Sequence, residues 1–179
     1  MATVNNQQYL KQEQYQNSQN LDTRIDLHER FTVGQNNWFR WSFERFTVPS
    51  PARILELGCG TGMLWRQNLD RLSSDWSVHL SDFSAGMIHK TRTGLRQAQP
   101  ACHAHYQVID AQAIPYADQT FDAVIAHHML YHLPDRSRAL REIHRVLKPD
   151  GMLYATANSL HYFEEVYALI IGTELRAQP

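Results

Sequence analysis

Three glycines separated by single residues, Gly58, Gly60 and Gly62, follow a short apolar run. A glycine-rich turn after a strand lets a ligand approach the backbone closely, because no Cβ atom intervenes. Asp82 ends the next apolar run, twenty-two residues beyond Gly60, where a carboxylate can accept hydrogen bonds from both hydroxyls of a ribose. Asp110 ends the third run and could accept from an adenine amino group. Together these residues predict a site for a ligand that contains a ribose and an adenine.

Two familiar nucleotide sites fit this pattern less well. A dinucleotide fingerprint has a third glycine at the position of Met63, and a Walker phosphate loop has a lysine after its last glycine; this chain has neither. We therefore exclude the phosphate loop and keep a nicotinamide oxidoreductase on a related fold as an alternative. The glycines alone would also fit a tight turn between strand and helix that binds nothing.

Histidines and a tyrosine follow the fourth apolar run, at His127, His128, Tyr131 and His132. Because imidazole has a near-neutral pKa, His128 and His132 are candidates for a catalytic base, and Tyr131 is a third candidate at the site. Packing or substrate contact is the alternative role for each. Imidazoles could also bind a metal ion, but adjacent residues on a strand point to opposite faces and no carboxylate or cysteine completes a ligand set. We expect no metal.

The elements that must position these residues alternate between strand and helix. Short apolar runs predict strands, longer stretches with apolar residues three or four apart predict helices, and Pro149–Gly151 predicts a turn. The predicted strands cover residues 53–57, 76–81, 103–109, 121–126 and 152–157, and the predicted helices cover 63–72, 84–99, 134–147 and 161–171. The alternation indicates an α/β fold, a Rossmann-like doubly wound parallel sheet of about five strands with helices on both faces. Such sheets bind ligands at the carboxyl ends of their strands, which places the glycines, acids and histidines on one rim.

Composition excludes several classes of protein. The 179 residues include 17 Lys+Arg and 18 Asp+Glu, so no excess of positive charge favours binding to nucleic acid or to an anionic membrane. No apolar run approaches the roughly 20 residues of a membrane span, and the start has no apolar region typical of a secretory signal. Two cysteines are too few for a disulfide framework. We therefore expect a cytoplasmic protein that binds neither nucleic acid nor membrane.

Three regions of the chain differ in amino-acid composition. Ten of the first twenty residues are Asn or Gln, so residues 1–20 are predicted to form a flexible arm. Residues 21–48 are predicted to form a helical lid, whose aromatic stretch Trp38–Phe46 either packs in the core or walls an apolar acceptor site. Residues 49–179 would form the main domain.

The order of four segments carries a family resemblance. The segments ILELGCGTG, LSDFSAGM, IDAQAIPYADQTFDAVIAHHMLYHLPD and REIHRVLKPDGMLYATA resemble the successive motifs of class I S-adenosylmethionine-dependent methyltransferases of the small-molecule, type 11 kind. The resemblance covers residues 52–157, and the stretch NLDTRIDLHERFTVGQNNWFRW resembles the helical N-terminal lid of some members. It implies S-adenosylmethionine as cofactor and S-adenosylhomocysteine as product.

The resemblance also implies which residues surround the cofactor. They are, for the methionine part, Glu56 and the backbone of Gly58, Gly60 and Gly62; for the ribose, Asp82; for the adenine, Phe83, Asp110 and the N–H of Ala111; and near the sulfonium, His127. Methyl transfer would then proceed by in-line displacement, with the protein chiefly aligning donor and acceptor and excluding water. The residues after the fourth strand differ from the Asn/Asp-Pro-Pro-aromatic motif of many nucleic-acid methyltransferases, so we expect a small-molecule methyl acceptor.

The C-terminal end departs from the family pattern. Members commonly continue past the fifth strand with a helix and an antiparallel hairpin, and the residues after Ala157 show no such strand pattern. We expect a C-terminally incomplete domain whose fifth strand is an exposed edge, a feature that favours association such as a homodimer. A cofactor-binding but catalytically inactive module is therefore the alternative to an active enzyme.

Overall fold

The computed structural model describes residues 37–156. The predicted arm over 1–20, the first part of the predicted lid and the predicted helix over 161–171 lie outside these residues, as does the predicted C-terminal incompleteness. The helices are α1 (Trp38–Phe43), α2 (Met63–Arg66), α3 (Ala85–Ala98) and α4 (Arg136–Val146), with short 3₁₀ turns at Leu69–Arg71 and Leu130–His132, and the strands are β1 (Ala52–Leu57), β2 (Trp76–Asp82), β3 (His103–Val108), β4 (Phe121–His127) and β5 (Leu147–Thr156).

The five strands form one parallel sheet in the order β3-β2-β1-β4-β5. The strand order reverses between β1 and β4, which is the point where open parallel sheets place their ligand crevice. In β1, Glu56 pairs with Leu80 of β2 on one side and with Ile125 of β4 on the other. The parallel, doubly wound sheet predicted from the sequence is confirmed.

Each face of the sheet carries its own apolar core, because alternate residues of a strand point to opposite faces. One core joins Ile54 and Val78 to Trp65 of α2 and Phe43 of α1. The other core packs the sheet against Ile143 and its neighbours on α4. The central strands β1 and β4 are almost entirely buried, as expected for parallel strands covered on both faces.

One predicted helix, over residues 63–72, is interrupted in the structure. The Nδ2 amide of Asn68 donates to the carbonyl of Leu64 at 2.7 Å, and the Asn68 backbone N–H bonds instead to Trp65 O at 3.1 Å. A side chain that takes the helical carbonyl acceptor in this way ends the α-helix. The stretch therefore continues as the 3₁₀ turn, and the prediction of a continuous helix is wrong.

The predicted turn at Pro149–Gly151 is also wrong, because these residues lie inside β5. Phe121 pairs with Leu147 and Ala123 pairs with Met152. An interval of two residues on β4 therefore lies opposite an interval of five residues on β5, which is an irregularity of the bulge type. A Cβ at Gly151 would lie 3.0 Å from the carbonyl oxygen of Phe121, so glycine permits this close approach.

Among the described residues, no helix combines the length and the hydropathy that a membrane crossing needs.

Candidate functional site

The turn after β1 adopts a backbone that favours glycine at three positions. Gly58, Gly60 and Gly62 have φ angles of 73°, 56° and 73°, in the left-handed region where a Cβ atom is disfavoured. Two of them are also closely packed: a Cβ at Gly58 would lie 2.9 Å from Met129 Cβ, and one at Gly62 would lie 2.8 Å from Thr91 Cγ2. The spacing of these glycines is therefore set by backbone conformation and by close approach.

Thr91 of α3 braces the same turn, a role that the sequence did not indicate. Its hydroxyl donates to the carbonyl of Gly60 at 2.7 Å, and its side chain is fully buried. The turn is also tied to β2, since Cys59 N donates to Ser81 O at 2.8 Å. A buried threonine in a helix gives no sequence signal of this kind, because helix interiors contain threonine for many reasons.

Asp82 ends β2 and holds the glycine turn by its side chain. Its Oδ2 accepts from Gly60 N at 3.0 Å and its Oδ1 accepts from Ser84 N at 2.8 Å. Burial raises the pKa of Asp82 to about 6, although the backbone N–H groups oppose the shift by stabilising the charged form. The Phe83 N–H is a third backbone donor to this carboxylate, which has about four lone-pair sites and so keeps acceptor capacity for a further donor.

Asp110 lies on the neighbouring position of the rim, just after β3. Ile109 N donates to Asp82 O at 3.1 Å, which fixes the end of β3 beside the end of β2. The Asp110 carboxylate accepts from Gln112 N at 2.9 Å and from Gln112 Nε2 at 3.0 Å. Ala111, between them, is buried and packs in the core against α4. The two acids that the sequence paired are thus neighbours at the carboxyl ends of adjacent strands.

Glu56 lies near the end of β1, two residues before Gly58, and is only 3% exposed. The Trp65 indole N–H donates to its Oε2 at 2.6 Å. Burial raises the pKa of Glu56 to about 7, while the indole hydrogen bond lowers it and the nearby Asp82 adds to the increase. The sequence predicted that Glu56 lies on the first strand, and it does. The hydrogen bond from the Trp65 indole was not predicted.

His127 ends β4 and has a partner on each ring nitrogen. Nε2 lies 3.0 Å from the Ser42 hydroxyl of α1, and Nδ1 lies 3.2 Å from the Thr156 hydroxyl of β5. Trp38 contacts the ring edge-on, with centroids 5.2 Å apart. Burial, with a smaller contribution from the neighbouring His128, lowers the pKa of His127 to about 4. The imidazole is therefore neutral near neutral pH and ties α1 to the end of the sheet.

His128 continues this region in a left-handed conformation, with φ of 52°. Its backbone N–H donates to Thr156 O at 3.0 Å, and its ring lies 5.0 Å from that of Trp38. Tyr131 and His132 follow on the 3₁₀ turn, with ring centroids 4.4 Å apart. A non-glycine residue held at positive φ is a feature that recurs at functional sites.

The aromatic stretch of the predicted lid divides between two roles. Phe43 is buried in the core and contacts the rings of Trp65 and Trp76, which confirms core packing for this residue. Trp38 is partly buried and lies against His127 and His128 at the carboxyl end of β4.

Between residues 37 and 156, no cluster of three or more His, Cys, Asp or Glu side chains has the arrangement of a metal site.

Comparison with known proteins gives one family match. Residues 55–155 match the family described as "Methyltransferase domain". The chain is 33% identical over 123 residues to a demethylmenaquinone methyltransferase of Lactiplantibacillus plantarum, covering 69% of this chain and 52% of the relative. It is 33% identical over 116 residues to the ubiquinone/menaquinone biosynthesis C-methyltransferase UbiE of Pectobacterium atrosepticum, covering 65% of this chain and 46% of the relative. The chain thus spans about half the length of the curated relatives it matches.

Solved structures show the same fold at lower sequence identity. A SAM dependent methyltransferase from Aquifex aeolicus superposes with a TM-score of 0.60 at 16% identity, covering 79% of this chain and 81% of that one. The cyclase SpnF superposes with a TM-score of 0.63 at 24% identity, covering 79% of this chain and 60% of that one. At these identities the likeness establishes the fold, and a cyclase among the neighbours illustrates that the fold alone does not determine the reaction.

Proposed function

The chain belongs to the methyltransferase domain family and has the class I S-adenosylmethionine-dependent methyltransferase fold, and on this basis we propose that it transfers a methyl group from S-adenosylmethionine to a small-molecule acceptor. The observation that carries the proposal is the pairing of Asp82 with the glycine turn. Its carboxylate bonds to Gly60 N and keeps acceptor capacity for a further donor. Asp110 follows the adjacent strand, so two carboxylates lie at the strand ends where we propose that a ribose and an adenine bind.

The residues of the rim fit such a cofactor by their chemistry. The glycine turn offers backbone without side chains, the two acids offer acceptors for hydroxyl and amino groups, and Glu56 offers a carboxyl group near the end of β1. In the proposed arrangement Asp82 holds the ribose, Asp110 receives the adenine amino group, and Phe83 and the N–H of Ala111 contact the adenine ring. Glu56 and the glycine backbone lie toward the methionine part. When bound, the cofactor supplies an electrophilic methyl group on a positively charged sulfur.

We assign the binding site of the methyl acceptor to α1 and to the segment after β4. His127 has both ring nitrogens engaged, so we assign it to positioning α1 and to lining the pocket near the transferred methyl group. His128, His132 and Tyr131 remain the candidates for removing a proton from an acceptor that must lose one. Alignment of the two reactants and exclusion of water supply most of what the transfer requires.

The acceptor proposed here is a small aromatic molecule of the quinol type. Two of the relatives are named for methylation of menaquinone or ubiquinone precursors. The aromatic rings of Trp38 and Phe46 both lie against His127, and they would suit the flat apolar face of such an acceptor. Removal of a hydroxyl proton makes a ring carbon of a quinol more nucleophilic, and after methyl transfer that carbon loses its own hydrogen as a proton, so the neighbouring imidazole of His128 is assigned the role of proton acceptor.

Calorimetry and turnover test this proposal separately. Titration of the purified protein with S-adenosylhomocysteine and with NAD should give binding of the first and none of the second. Methyl-labelled S-adenosylmethionine with a panel of quinols and other small phenols should then give a labelled product. Binding of NAD instead would contradict the proposed cofactor, and cofactor binding without turnover across the panel would favour the non-catalytic alternative.

A further inference from the structure

The side chain of Gln112 connects the adenine end of the rim to the start of α4. Its Nε2 amide donates to both carboxylate oxygens of Asp110, at 3.0 Å to Oδ1 and 3.3 Å to Oδ2. Its Oε1 accepts from the backbone N–H of Asp135 at 3.0 Å. Asp135 is in turn the N-cap of α4, with its side chain accepting from Arg138 N. One amide group thus joins two parts of the structure that are 25 residues apart in sequence.

The network also fixes the orientation of this amide. A carboxylate only accepts and a backbone N–H only donates, so the Gln112 nitrogen must face Asp110 and its oxygen must face Asp135. Rotating the amide by half a turn would place two acceptors against each other and two donors against each other. The glutamine is therefore chemically matched to this position in a way that a glutamate of the same length is not.

The hydrogen bonds to Asp110 leave its two oxygens in different situations. Oδ1 accepts from both Gln112 N and Gln112 Nε2 at 2.9 and 3.0 Å, which fills its two lone-pair directions. Within residues 37–156, the one hydrogen bond that Oδ2 accepts is the longer contact with Gln112 Nε2, at 3.3 Å. Oδ2 is therefore the oxygen that keeps a strong acceptor site for an incoming amino group.

We propose that Gln112 is a positioning residue for adenine recognition, which fixes the Asp110 carboxylate so that Oδ2 accepts the 6-amino group of the cofactor. This inference rests on the proposed function and deepens it. Without the Gln112 side-chain amide, the Asp110 carboxylate keeps, of its bonds within the described part of the chain, the one from the Gln112 backbone N–H, and it can rotate away from the rim. Gln112 then determines selectivity for adenine over a purine that carries oxygen at the same position, because an oxygen there would face the carboxylate without a proton between them.

The test compares S-adenosylhomocysteine with S-inosylhomocysteine, in which a 6-oxo group replaces the 6-amino group. Gln112→Met keeps a side chain of similar length and removes the three side-chain hydrogen bonds to Asp110 and Asp135. Gln112→Glu keeps an acceptor for Asp135 N and places a carboxylate against Asp110. We expect Gln112→Met to weaken binding of S-adenosylhomocysteine about tenfold, in the range of one charge-assisted hydrogen bond. Binding of S-inosylhomocysteine should stay within about twofold, since that ligand gains nothing from the positioned Oδ2.

The ratio of the two dissociation constants distinguishes a loss of adenine selectivity from a general loss of ligand binding caused by a disturbed structure. Gln112→Glu should reduce the preference for adenine at least as much as Gln112→Met. Gln107→Ala is the matched control: this glutamine lies on β3, three residues before Asp110, and among the described residues its side chain accepts from the Tyr116 hydroxyl. The preference ratio of this variant should equal that of the unaltered protein.

Two results would overturn the assignment. Equal weakening of both ligands by Gln112→Met, or an unchanged preference ratio in both variants, would show that Gln112 does not orient Asp110 for adenine. If the unaltered protein binds S-adenosylhomocysteine, such a result overturns this inference alone. If the unaltered protein binds neither ligand, the proposed function and this inference are both overturned.

Discussion

Asp82 offers the most direct test of the proposed site, through the substitution Asp82→Ala. The carboxylate bonds to Gly60 N and Ser84 N in the structure, and we propose that it also accepts from both ribose hydroxyls of the cofactor. Alanine removes these acceptors and leaves a small space at the end of β2. Affinity for S-adenosylhomocysteine should therefore fall, with a smaller effect on the stability of the fold.

The expected magnitude follows from the number and type of the lost bonds. A hydrogen bond to a charged group contributes about 1.5–3 kcal/mol, and two such bonds to the ribose are removed. Part of this is recovered, because the ribose hydroxyls bond to water in the variant and because the partly buried carboxylate no longer has to be desolvated. We therefore expect a loss of roughly 2–4 kcal/mol in binding free energy, which is about 30- to 1000-fold in the dissociation constant.

The pH dependence of binding gives an independent check on the same residue. Because burial raises the pKa of Asp82 to about 6 and ribose hydroxyls bond to the ionised form, cofactor affinity should be retained above this pH. Affinity should fall as the pH is lowered through about 6 and the carboxylate takes up a proton. In Asp82→Ala this part of the pH dependence should be absent.

Isothermal titration calorimetry with S-adenosylhomocysteine at several pH values measures both effects. Asp75→Ala is the matched control, since Asp75 is an exposed aspartate just before β2, at the end opposite to the rim. Its affinity should equal that of the unaltered protein, and unfolding in urea checks that each variant is folded. A dissociation constant for folded Asp82→Ala within about threefold of the unaltered value, less than the loss of one hydrogen bond, would refute the assignment of Asp82 to the ribose.

Three further predictions concern buried groups around the rim. In the folded protein Glu56 has a pKa of about 7, above its ordinary value of 4.5. The folded state is therefore favoured in acid, where Glu56 is neutral, and this contribution to stability is lost as the pH rises through about 7. Glu56→Gln keeps an acceptor for the Trp65 indole and should raise the free energy of unfolding at pH 8 by roughly 2–3 kcal/mol, measured by urea unfolding at pH 5 and 8; a loss of stability at pH 8 would contradict the raised pKa. Gly62→Ala should lower the free energy of unfolding by roughly 2–4 kcal/mol, since a positive φ and a Cβ 2.8 Å from Thr91 Cγ2 act together; an unchanged urea midpoint would show that the turn adapts. His127 is buried in its neutral form, so the stability that it contributes is lost as the pH falls from about 6.5 toward 4; its imidazole proton resonance should titrate near 4 in NMR spectra, and a midpoint near 6.5 would contradict the buried geometry.

The elements of the fold were predictable because their signals are local. Apolar runs such as residues 121–126 are short and continuous, which is typical of strands buried on both faces, and β4 occupies that place. The failures arise where one side chain or one tertiary contact overrides the local pattern. Asn68 takes a helical carbonyl with its own amide, and Gly151 permits a close approach to the Phe121 carbonyl. Neither contact is visible in the spacing of apolar residues.

The position of the candidate residues at the strand ends was predictable from the sequence, but the contacts that hold them in place were not. Glycines and acids at strand ends have a defined place once the strand order is known, so Asp82 and Asp110 could be paired from the sequence. The Thr91 hydroxyl bonds to the Gly60 carbonyl, and the Gln112 amide bonds to Asp135 N as well as to the nearby Asp110. Threonine and glutamine occur in many other surroundings, and only the tertiary structure shows which backbone group or carboxylate each one meets.

Burial acts in opposite directions on the ionisable groups of the rim, and both directions suit a positively charged methyl donor. It lowers the pKa of His127 to about 4, so this imidazole places no positive charge beside the proposed position of the sulfonium. It raises the pKa values of Glu56 and Asp82 toward neutrality, so part of the cost of ionising them falls on the free protein and is offset when a cation or hydroxyl donors bind. A protonated His127 would repel a sulfonium, whereas its bonds to the hydroxyls of Ser42 and Thr156 could form in either protonation state, because a hydroxyl both donates and accepts. The neutral form of His127 therefore matters for the electrostatics of the proposed reaction rather than for the docking of α1.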